Sequence, residues 1–213
     1  MGDPGDIGEA LTKTAAEWSV ALEPAQADAI RRFASLLLTW TARINLTGAT
    51  SVEVLAAEHL PDSFALASRL STAELAMPEA RVVDVGSGGG LPAIPLAVLC
   101  PHLRFDLLEP VAKKTAFLRT AVRELGLGER VKVTAKRAET IAPAQFDIAV
   151  SRATLPPPAW IDLAMRLVRP GGRIFVLASE ESDPGAAPAP LVLAGRWPYH
   201  DGHRALIELR RPA

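Results

Sequence analysis

The first 75 residues carry apolar side chains at the three- and four-residue spacing of amphipathic helices. One helix is predicted over residues 7–18, and a second begins near Pro24, a residue favoured in the first helical turn. The apolar face of this second helix consists of Ile30, Phe33, Leu36, Leu37 and Trp40. Thr50 and Glu53 match a capping box before a third helix, and residues 62–70 predict a fourth. The chain therefore begins with a helical region.

A different pattern starts at Arg81, where short apolar runs alternate with helical stretches. The predicted strands cover residues 82–85, 104–109, 131–133, 147–150 and 174–177. The predicted helices between them run through Cys100, from Lys113 to Leu125 and from about Ala159 to Val168. Two apolar runs around Asp201-Gly202 predict a closing hairpin. This alternation predicts an α/β fold, a mostly parallel, doubly wound sheet, to which the hairpin adds an antiparallel edge.

Residues 71–80 contain Pro78 and little periodicity, and they mark a boundary. We expect an N-terminal helical extension over residues 1–75 and an α/β domain over residues 76–213. The segment 180–190 is rich in Ala, Pro and acidic residues and is predicted to be a loop.

Composition narrows the class of protein. The chain has 213 residues, of which 49% are hydrophobic and 22% charged, as in folded globular proteins rather than disordered ones. The single cysteine, Cys100, excludes a disulfide framework and a cysteine-cluster metal site. No run approaches 18 apolar residues, and the N-terminus lacks the basic and apolar regions of a signal peptide. We therefore expect a cytoplasmic protein with no membrane span.

Charge is unevenly distributed although the net charge is only −1. Residues 1–100 hold 6 Lys/Arg against 12 Asp/Glu, and residues 101–175 hold 13 against 7. A basic middle segment can form a local positive face on a nearly neutral protein, but charge runs of this kind are more often solvated helix surfaces.

The segment that says most about function is residues 84–91, Asp-Val-Gly-Ser-Gly-Gly-Gly-Leu, at the end of the first predicted strand of the sheet. A dinucleotide-binding fingerprint would need a sixth-position glycine where Leu91 stands. The remaining pattern, acidic-x-Gly-x-Gly-x-Gly, is typical of S-adenosylmethionine enzymes. Asp84 suits the ammonium group of that cofactor, and Glu109, at the end of the second strand, can accept both ribose hydroxyls. Together with Pro-Gly-Gly at 170–172, these residues predict an S-adenosylmethionine site that includes Gly86 and Gly88.

The sequence lacks the motifs of two common kinds of methyl transfer. The prolines at 156–158 do not form the Asp/Asn-Pro-Pro-aromatic motif of exocyclic amine methylation. Cys100 ends a helix of the sheet and is predicted to be a core residue rather than a nucleophile. No side chain is clearly placed as a general base. A ring nitrogen with a free lone pair, such as guanine N7, needs no base, so positioning could supply most of the catalysis.

Five segments resemble those of a known protein family: residues 40–47, 59–63, 84–96, 113–118 and 151–153. The sequence resembles the bacterial small-subunit ribosomal RNA guanine-N7 methyltransferases, also called glucose-inhibited division protein B or small-subunit methyltransferase G, over about residues 30–180. Gly-Leu-Pro-x-Ile-Pro-Leu at 90–96 with Ser-Arg-Ala at 151–153 is specific to them. The resemblance implies a class I methyltransferase fold with a seven-stranded sheet, and methylation of one guanine in the 530 loop of 16S ribosomal RNA.

The resemblance also implies site residues. The family's cofactor contacts fall on Gly86, Leu91, Ala138, Glu139 and Arg152, with the ribose carboxylate at Glu109. Arg43, Lys113 and Lys114 are candidates for contacts with RNA phosphates, or solvated residues. The implied partner is 16S ribosomal RNA or the 30S subunit. We expect a monomer that needs no metal.

Arg152 follows the fourth strand of the sheet directly. Arginine stays protonated at neutral pH, so it cannot be a base. We expect its planar donors to hold the cofactor or the incoming guanosine. The alternative is a structural ion pair, with Asp147 or Glu139 as the expected partner.

Other polar residues are open to two interpretations. His59 and Asp62 could orient a loop near the active site, or His59 could cap a helix or turn. His200 and His203 could ligate a metal, but they flank the predicted turn. The four tryptophans, at 18, 40, 160 and 197, are more typical of a core than of base stacking.

The chain departs from the family at several positions. Leu-Ala-Ser at 177–179 replaces a frequent Leu-Lys-Gly, and Glu58, Pro61 and Thr154 are also unusual. A paralogue acting on another RNA or on a small molecule is therefore an alternative function. A non-catalytic cofactor-binding module and an NAD-dependent dehydrogenase are further alternatives. Leu91 and the absence of a Tyr-x-x-x-Lys pair disfavour the dehydrogenase.

Overall fold

The structure, a computed structural model, describes residues 5–70, 79–152, 154–179 and 187–213. Its helices are α1 Gly5–Glu17, α2 Pro24–Thr41, α3 Val52–Glu58, α4 Leu60–Leu70, α5 Ala93–Leu99, α6 Ala112–Glu124 and α7 Pro157–Leu167. A short 3-10 helix covers Ala138–Thr140. The strands are β1 Arg81–Val85, β2 Arg104–Leu108, β3 Val131–Thr134, β4 Phe146–Val150, β5 Val168–Ser179, β6 Val192–Tyr199 and β7 Arg204–Arg210.

The strands form one seven-stranded sheet in the order β3-β2-β1-β4-β5-β7-β6. The four pairs among β1 to β5 are parallel, whereas β7 is antiparallel to both of its neighbours, β5 and β6. The predicted mostly parallel sheet with antiparallel pairing at one side is confirmed. Because β7 lies between β5 and β6, the edge strand β6 points in the same direction as the parallel strands.

The sheet is covered on both faces. Successive residues of a strand point to opposite faces, so Val82 belongs to one buried apolar cluster and Val83 to the other. The cluster on the Val83 face includes Trp160, whose indole N–H donates to the carbonyl of Phe175 at 2.9 Å. The prediction that Trp160 is a core residue is therefore confirmed.

The N-terminal helices pack on the other face. Ile30, Phe33 and Leu37 of α2 belong to the same buried cluster as Val82, and so do Ile94 of α5 and Phe117 of α6. The helical region and the sheet therefore share one core. The predicted boundary segment lies mostly outside the described residues, as does most of the predicted loop 180–190, so the division at residue 75 stays a prediction.

Two local predictions need correction. The cap of α3 is Ser51 rather than Thr50: the Ser51 hydroxyl accepts from the backbone N–H of Val54 at 3.3 Å. A capping residue must stand immediately before the first helical residue, and α3 begins at Val52. Strand β5 is also longer than the predicted strand 174–177. It begins at Val168, and its first five residues include Pro170.

Candidate active site

The glycine-rich loop leaves the carboxyl end of β1, where ligands bind in open α/β sheets. Gly86, Gly88 and Gly90 have φ angles of +71°, +48° and +76°, a conformation that favours glycine. The backbone N–H groups of Gly86 and Ser87 donate to the carbonyl of Leu108 at 2.9 and 3.2 Å. This loop is therefore fastened to the end of the neighbouring strand β2.

Gly86 and Gly88 differ in what lies above them. A Cβ atom at Gly86 would lie 2.4 Å from the hydroxyl oxygen of Thr154, so this side chain is its immediate neighbour. At Gly88 the nearest atoms are the Gly86 carbonyl oxygen at 3.6 Å and a Glu109 carboxylate oxygen at 4.0 Å. A Cβ atom would therefore make ordinary van der Waals contacts at Gly88, whereas it would collide with Thr154 at Gly86.

Glu109 lies just beyond β2, and its buried carboxylate holds the loop. Oε2 accepts from the N–H of Gly88 at 2.9 Å, and Oε1 accepts from the N–H of Val111 at 2.8 Å. Each carboxylate oxygen can accept a second hydrogen bond, so both remain able to meet ribose hydroxyls.

Asp84, the last residue but one of β1, is only 1% exposed. Among the described residues its Oδ2 atom has no hydrogen-bond partner. The pKa of this carboxyl is raised to about 7: burial and, less strongly, Glu109 raise it, while a hydrogen bond with Ser87 and the charge of Arg152 lower it. A buried carboxylate with one unpartnered oxygen lies beneath the loop, and its negative charge there fits a cationic ligand such as S-adenosylmethionine above the loop.

A cavity of about 950 Å³ lies at this end of the sheet. That volume is at the upper end for ligand pockets and leaves room for a cofactor and part of an acceptor. The predicted site residues that line it are Gly86, Gly88, Leu91, Glu109, Lys114 and Arg152. The structure therefore brings most of the predicted cofactor residues together with one of the predicted RNA residues.

Other predicted residues lie elsewhere. Asp84 is beneath the loop rather than on the cavity wall. The carbonyl of Ala138 accepts from Arg166 at 2.7 Å, which fastens the 3-10 turn, and Glu139 is exposed beside it. Arg43 and Lys113 are exposed outside the cavity.

Pro-Gly-Gly at 170–172 is also distant from the loop. It occupies the amino end of β5, where Val168 pairs with Phe146 at the start of β4. It therefore does not belong to the cofactor site, although the sequence suggested that it supports one.

The cavity wall also includes a polar cluster around Asp62 of α4. The carboxylate of Asp62 lies 3.3 Å from Nη1 of Arg152 and accepts from the hydroxyl of Tyr199 at 2.7 Å. The same Nη1 lies 2.8 Å from Nδ1 of His59, and Nη1 of Arg204 lies 3.6 Å from Asp62. We call these five residues the acceptor-end cluster.

This cluster identifies the ion-pair partner of Arg152, whereas the prediction that its donors also hold a ligand is not tested by it. The partner is Asp62, so the expected partners Asp147 and Glu139 were wrong. Asp147 lies at the opposite end of β4, where it forms an ion pair with Arg169 and accepts from the N–H of Arg81 at 2.8 Å. Ser151 precedes Arg152 and donates to the carbonyl of Val85, but Ala153 of the Ser-Arg-Ala motif lies outside the described residues.

One of the two interpretations of His59 is confirmed, and the other, that it orients a loop near the active site, stays a prediction. His59 is the C-terminal cap of α3, and its ring contacts Arg152. Burial lowers the pKa of His59, and the positive charges of Arg152 and Arg204 lower it further. The hydroxyl pKa of Tyr199 is raised by burial and by the neighbouring Asp62.

Sequence reasoning missed Tyr199 and Arg204. They end β6 and begin β7, on either side of the predicted turn. The only signal was their polar character next to that turn, and the pattern does not say which end of the hairpin faces the cavity.

The described residues also bear on the predictions about a metal site and about membrane-spanning helices. In the described part of the chain, no group of three or more His, Cys, Asp or Glu is arranged to hold a metal ion. His200 packs against Tyr199, with ring centroids 5.3 Å apart. Among the helices of residues 5–70, 79–152, 154–179 and 187–213, none is both long and apolar enough to cross a membrane.

The sheet order and the acidic residue before the glycine loop define the class I, Rossmann-like S-adenosylmethionine-dependent methyltransferases. The fold is shared with the solved structure of the S-adenosylmethionine-dependent methyltransferase SibL in its apo form: the TM-score is 0.52 at 20% identity, over 89% of this chain and 74% of that one.

The particular family follows from sequence comparison. Residues 26–186 match the model of GidB, the rRNA small subunit methyltransferase G family. The chain is 38% identical to ribosomal RNA small subunit methyltransferase G of Geobacter sp. (strain M21), over 79% of this chain and 76% of the relative. It is 36% identical to the protein of that name from Burkholderia pseudomallei (strain 1106a), over 93% and 89%. This chain belongs to the rRNA small subunit methyltransferase G family.

Proposed function

We propose that this protein transfers the methyl group of S-adenosylmethionine to N7 of a guanine in the 530 loop of 16S ribosomal RNA. The observation that carries the proposal is one cavity whose wall includes both the glycine loop with Glu109, the proposed cofactor end, and Arg152 with Asp62, the proposed acceptor end. Family membership supports the substrate class.

When bound, the cofactor supplies an electrophilic methyl group on a sulfonium. The lone pair of guanine N7 forms the new bond to the methyl carbon while the electrons of the carbon–sulfur bond return to sulfur. The guanine gains the positive charge, and no proton leaves N7. The protein therefore needs no general base, and its contribution is to hold the two reactants in line.

The residues of this chain divide between the two reactants. The loop at Gly86, Gly88 and Leu91 borders the cofactor, and Glu109 accepts its ribose hydroxyls. Asp84 contributes negative charge beneath the loop. Ala138 and Glu139, outside the cavity wall, remain proposed contacts of the cofactor's far end.

Arg152 is the proposed positioning group between cofactor and acceptor. Its side chain is 22% exposed and lines the cavity, so it is accessible to a ligand. Lys114 at the cavity wall and the exposed Arg43 and Lys113 are proposed contacts with RNA phosphates. We also propose that the protein acts as a cytoplasmic monomer.

One observation favours a second candidate, the paralogue that methylates another RNA or a small molecule. Thr154, Ala178 and Ser179 line the cavity, and they are family departures. In particular, Ala178 stands where the family often has a lysine. The acceptor wall could therefore select a different substrate while the cofactor end stays the same.

The test uses the purified full chain with tritiated S-adenosylmethionine. Naked 16S ribosomal RNA, 30S subunits and a bulk small-RNA fraction are compared as acceptors, and labelled RNA is digested to nucleosides. The proposal expects 7-methylguanosine mapped to the 530 loop. Label in another RNA or nucleoside would favour the paralogue that methylates RNA. Cofactor binding without transfer to any of these RNAs would favour a small-molecule acceptor or a binding module.

A further inference from the structure

A single buried carboxylate ties three parts of the chain together at the acceptor end. The Asp62 side chain, on α4, is only 3% exposed. One of its oxygens lies beside Arg152 after β4, and the other accepts from Tyr199 at the end of β6. A buried carboxylate with two partners holds both of them in place, because moving either would leave its charge less well compensated.

His59 shares the same guanidinium nitrogen. Its Nδ1 atom lies 2.8 Å from Nη1 of Arg152. A guanidinium can only donate hydrogen bonds, so Nδ1 must be the acceptor and carry no proton. The neutral ring therefore carries its proton on Nε2.

These contacts engage only one end of the Arg152 side chain. His59 and Asp62 both accept from Nη1, and the donors on Nε and Nη2 are outside these two bonds. Two acceptors on one nitrogen restrict rotation of the planar guanidinium more than one would. The plane, and with it the remaining donors, is then held in one orientation at the cavity wall.

We propose that His59 and Asp62 are positioning residues for methyl transfer, which together fix the Arg152 guanidinium at the acceptor end and make transfer depend on an unprotonated His59. The proposal rests on the proposed function, since it concerns the same cavity. Neither residue takes a proton from the guanine; both act through Arg152.

Protonation of His59 would place a hydrogen on Nδ1, facing Nη1 of Arg152. The hydrogen bond would be lost, and two cations would then adjoin. The charged groups around the ring are Arg152, Arg204 on β7, Asp62 on α4 and Glu58 on its own helix, and the two arginines outweigh the acids. Burial of the ring, which disfavours its charged form, and these charges together hold the pKa of His59 below its ordinary value of 6.5. Transfer is therefore lost as the pH falls through this lowered pKa.

Asp84 also titrates, with a pKa of about 7, but it acts on the cofactor. The two groups are separated by measuring single-turnover methylation at saturating S-adenosylmethionine, alongside cofactor affinity by calorimetry at each pH. A change in affinity reports on Asp84, whereas a change in the saturated rate reports on the acceptor-end cluster.

The decisive variants are His59→Asn and His59→Leu. Asparagine retains an acceptor oxygen at the δ1 position and does not titrate. This variant should therefore keep most of the neutral-pH rate and lose the acid limb, which is the fall in rate at low pH. Leucine has no acceptor, and its rate should fall by about 10–100-fold at every pH, as expected for a misplaced positioning group. His102→Asn is the matched control, because His102 contacts the Leu70 carbonyl at the other end of the sheet and should retain the acid limb.

Asp62→Asn should lower the saturated rate by about tenfold or more without changing cofactor affinity. If this variant fails to fold, the two His59 variants decide the question. The inference is overturned if His59→Asn keeps the acid limb, or if His59→Leu methylates at the wild-type rate. Failure of the wild-type protein to methylate ribosomal RNA at any pH would instead refute the proposed function.

Discussion

The proposed cofactor end and the proposed acceptor end of the cavity are built in different ways. The cofactor end is mostly backbone: the loop at 86–91 turns through glycines, and Glu109 binds the N–H of Gly88. The acceptor end is made of side chains, and its contacts join Asp62 to Arg152, 90 residues away, and to Tyr199, 137 residues away. Backbone geometry depends on local residue types, whereas a cluster of this kind exists only when the whole fold is assembled.

The comparison leads to an expectation about mutations. Changes at the cofactor end should alter affinity for S-adenosylmethionine, and changes at the acceptor end should alter the rate at saturating cofactor. The size of the expected change in affinity, rate or stability differs from residue to residue.

The largest effect is expected at Gly86. In Gly86→Ala, the added Cβ meets Thr154 in a backbone conformation that already disfavours alanine. We expect the loop to shift and cofactor affinity to fall by about 100-fold or more, equivalent to about 2.8 kcal/mol. Calorimetry with the folded variant measures this change.

Gly126→Ala is the matched control for Gly86. Its φ of +67° is nearly the same, but nothing lies within 4 Å of the added Cβ. We expect it to destabilise the protein by about 1–2 kcal/mol without changing cofactor affinity. Equal affinities for the two variants would contradict the importance of the loop at Gly86.

At the acceptor end, Arg152→Lys should lower the single-turnover rate by about 10–100-fold while the melting temperature barely changes. Lysine keeps the positive charge near Asp62 but loses the planar fork that two acceptors share. Arg152→Ala should also lose stability, by about 1–3 kcal/mol, because it leaves Asp62 without this partner. A wild-type rate in Arg152→Lys would remove Arg152 from the site.

A smaller effect concerns Asp84 and pH. Its pKa is about 7 in the folded protein against an ordinary value of 3.8, so the folded state holds an extra proton between these values. This contribution to stability is fully present below pH 3.8 and is lost as pH rises through 7. Asp84→Asn should therefore raise the melting temperature at pH 8, by about 2–4 °C for each kcal/mol regained. The same variant should weaken cofactor binding; a lower melting temperature at pH 8 would contradict the unpaired state of Asp84.

The smallest effect separates Lys114 from Lys113. Lys114 lines the cavity, whereas Lys113 is exposed outside it. If both contact phosphates, each alanine variant should reduce the slope of log affinity against log salt by about 0.7–0.9, and the double variant by twice that amount. A changed slope for Lys114→Ala alone would limit the RNA surface to the cavity mouth, and unchanged slopes for both would favour solvated lysines.

The fold was predictable to a large extent because its signals are local. Periodicity located the helices and the strands, and the turn at Asp201-Gly202 located the hairpin. The error at Thr50 has a local cause as well. Thr50 and Ser51 are neighbouring hydroxyl residues that both suit a cap, and only the observed start of α3 at Val52 identifies Ser51 as the cap.

By itself the sequence determined much of the proposed cofactor end, but it also placed Ala138, Glu139 and Pro-Gly-Gly 170–172 there, and these lie outside the cavity wall. Glycines, a carboxylate before the loop and a second carboxylate after β2 are marks that a linear pattern can carry, because backbone conformation follows from residue type over a few positions. The partners of Arg152 were decided only by the tertiary structure. Sheet order places β4 next to β1 and β5, and packing of α4 under the closing hairpin brings Asp62 and Tyr199 together. A contact across 90 or 137 residues depends on the summed packing between them, and no short stretch of sequence records it.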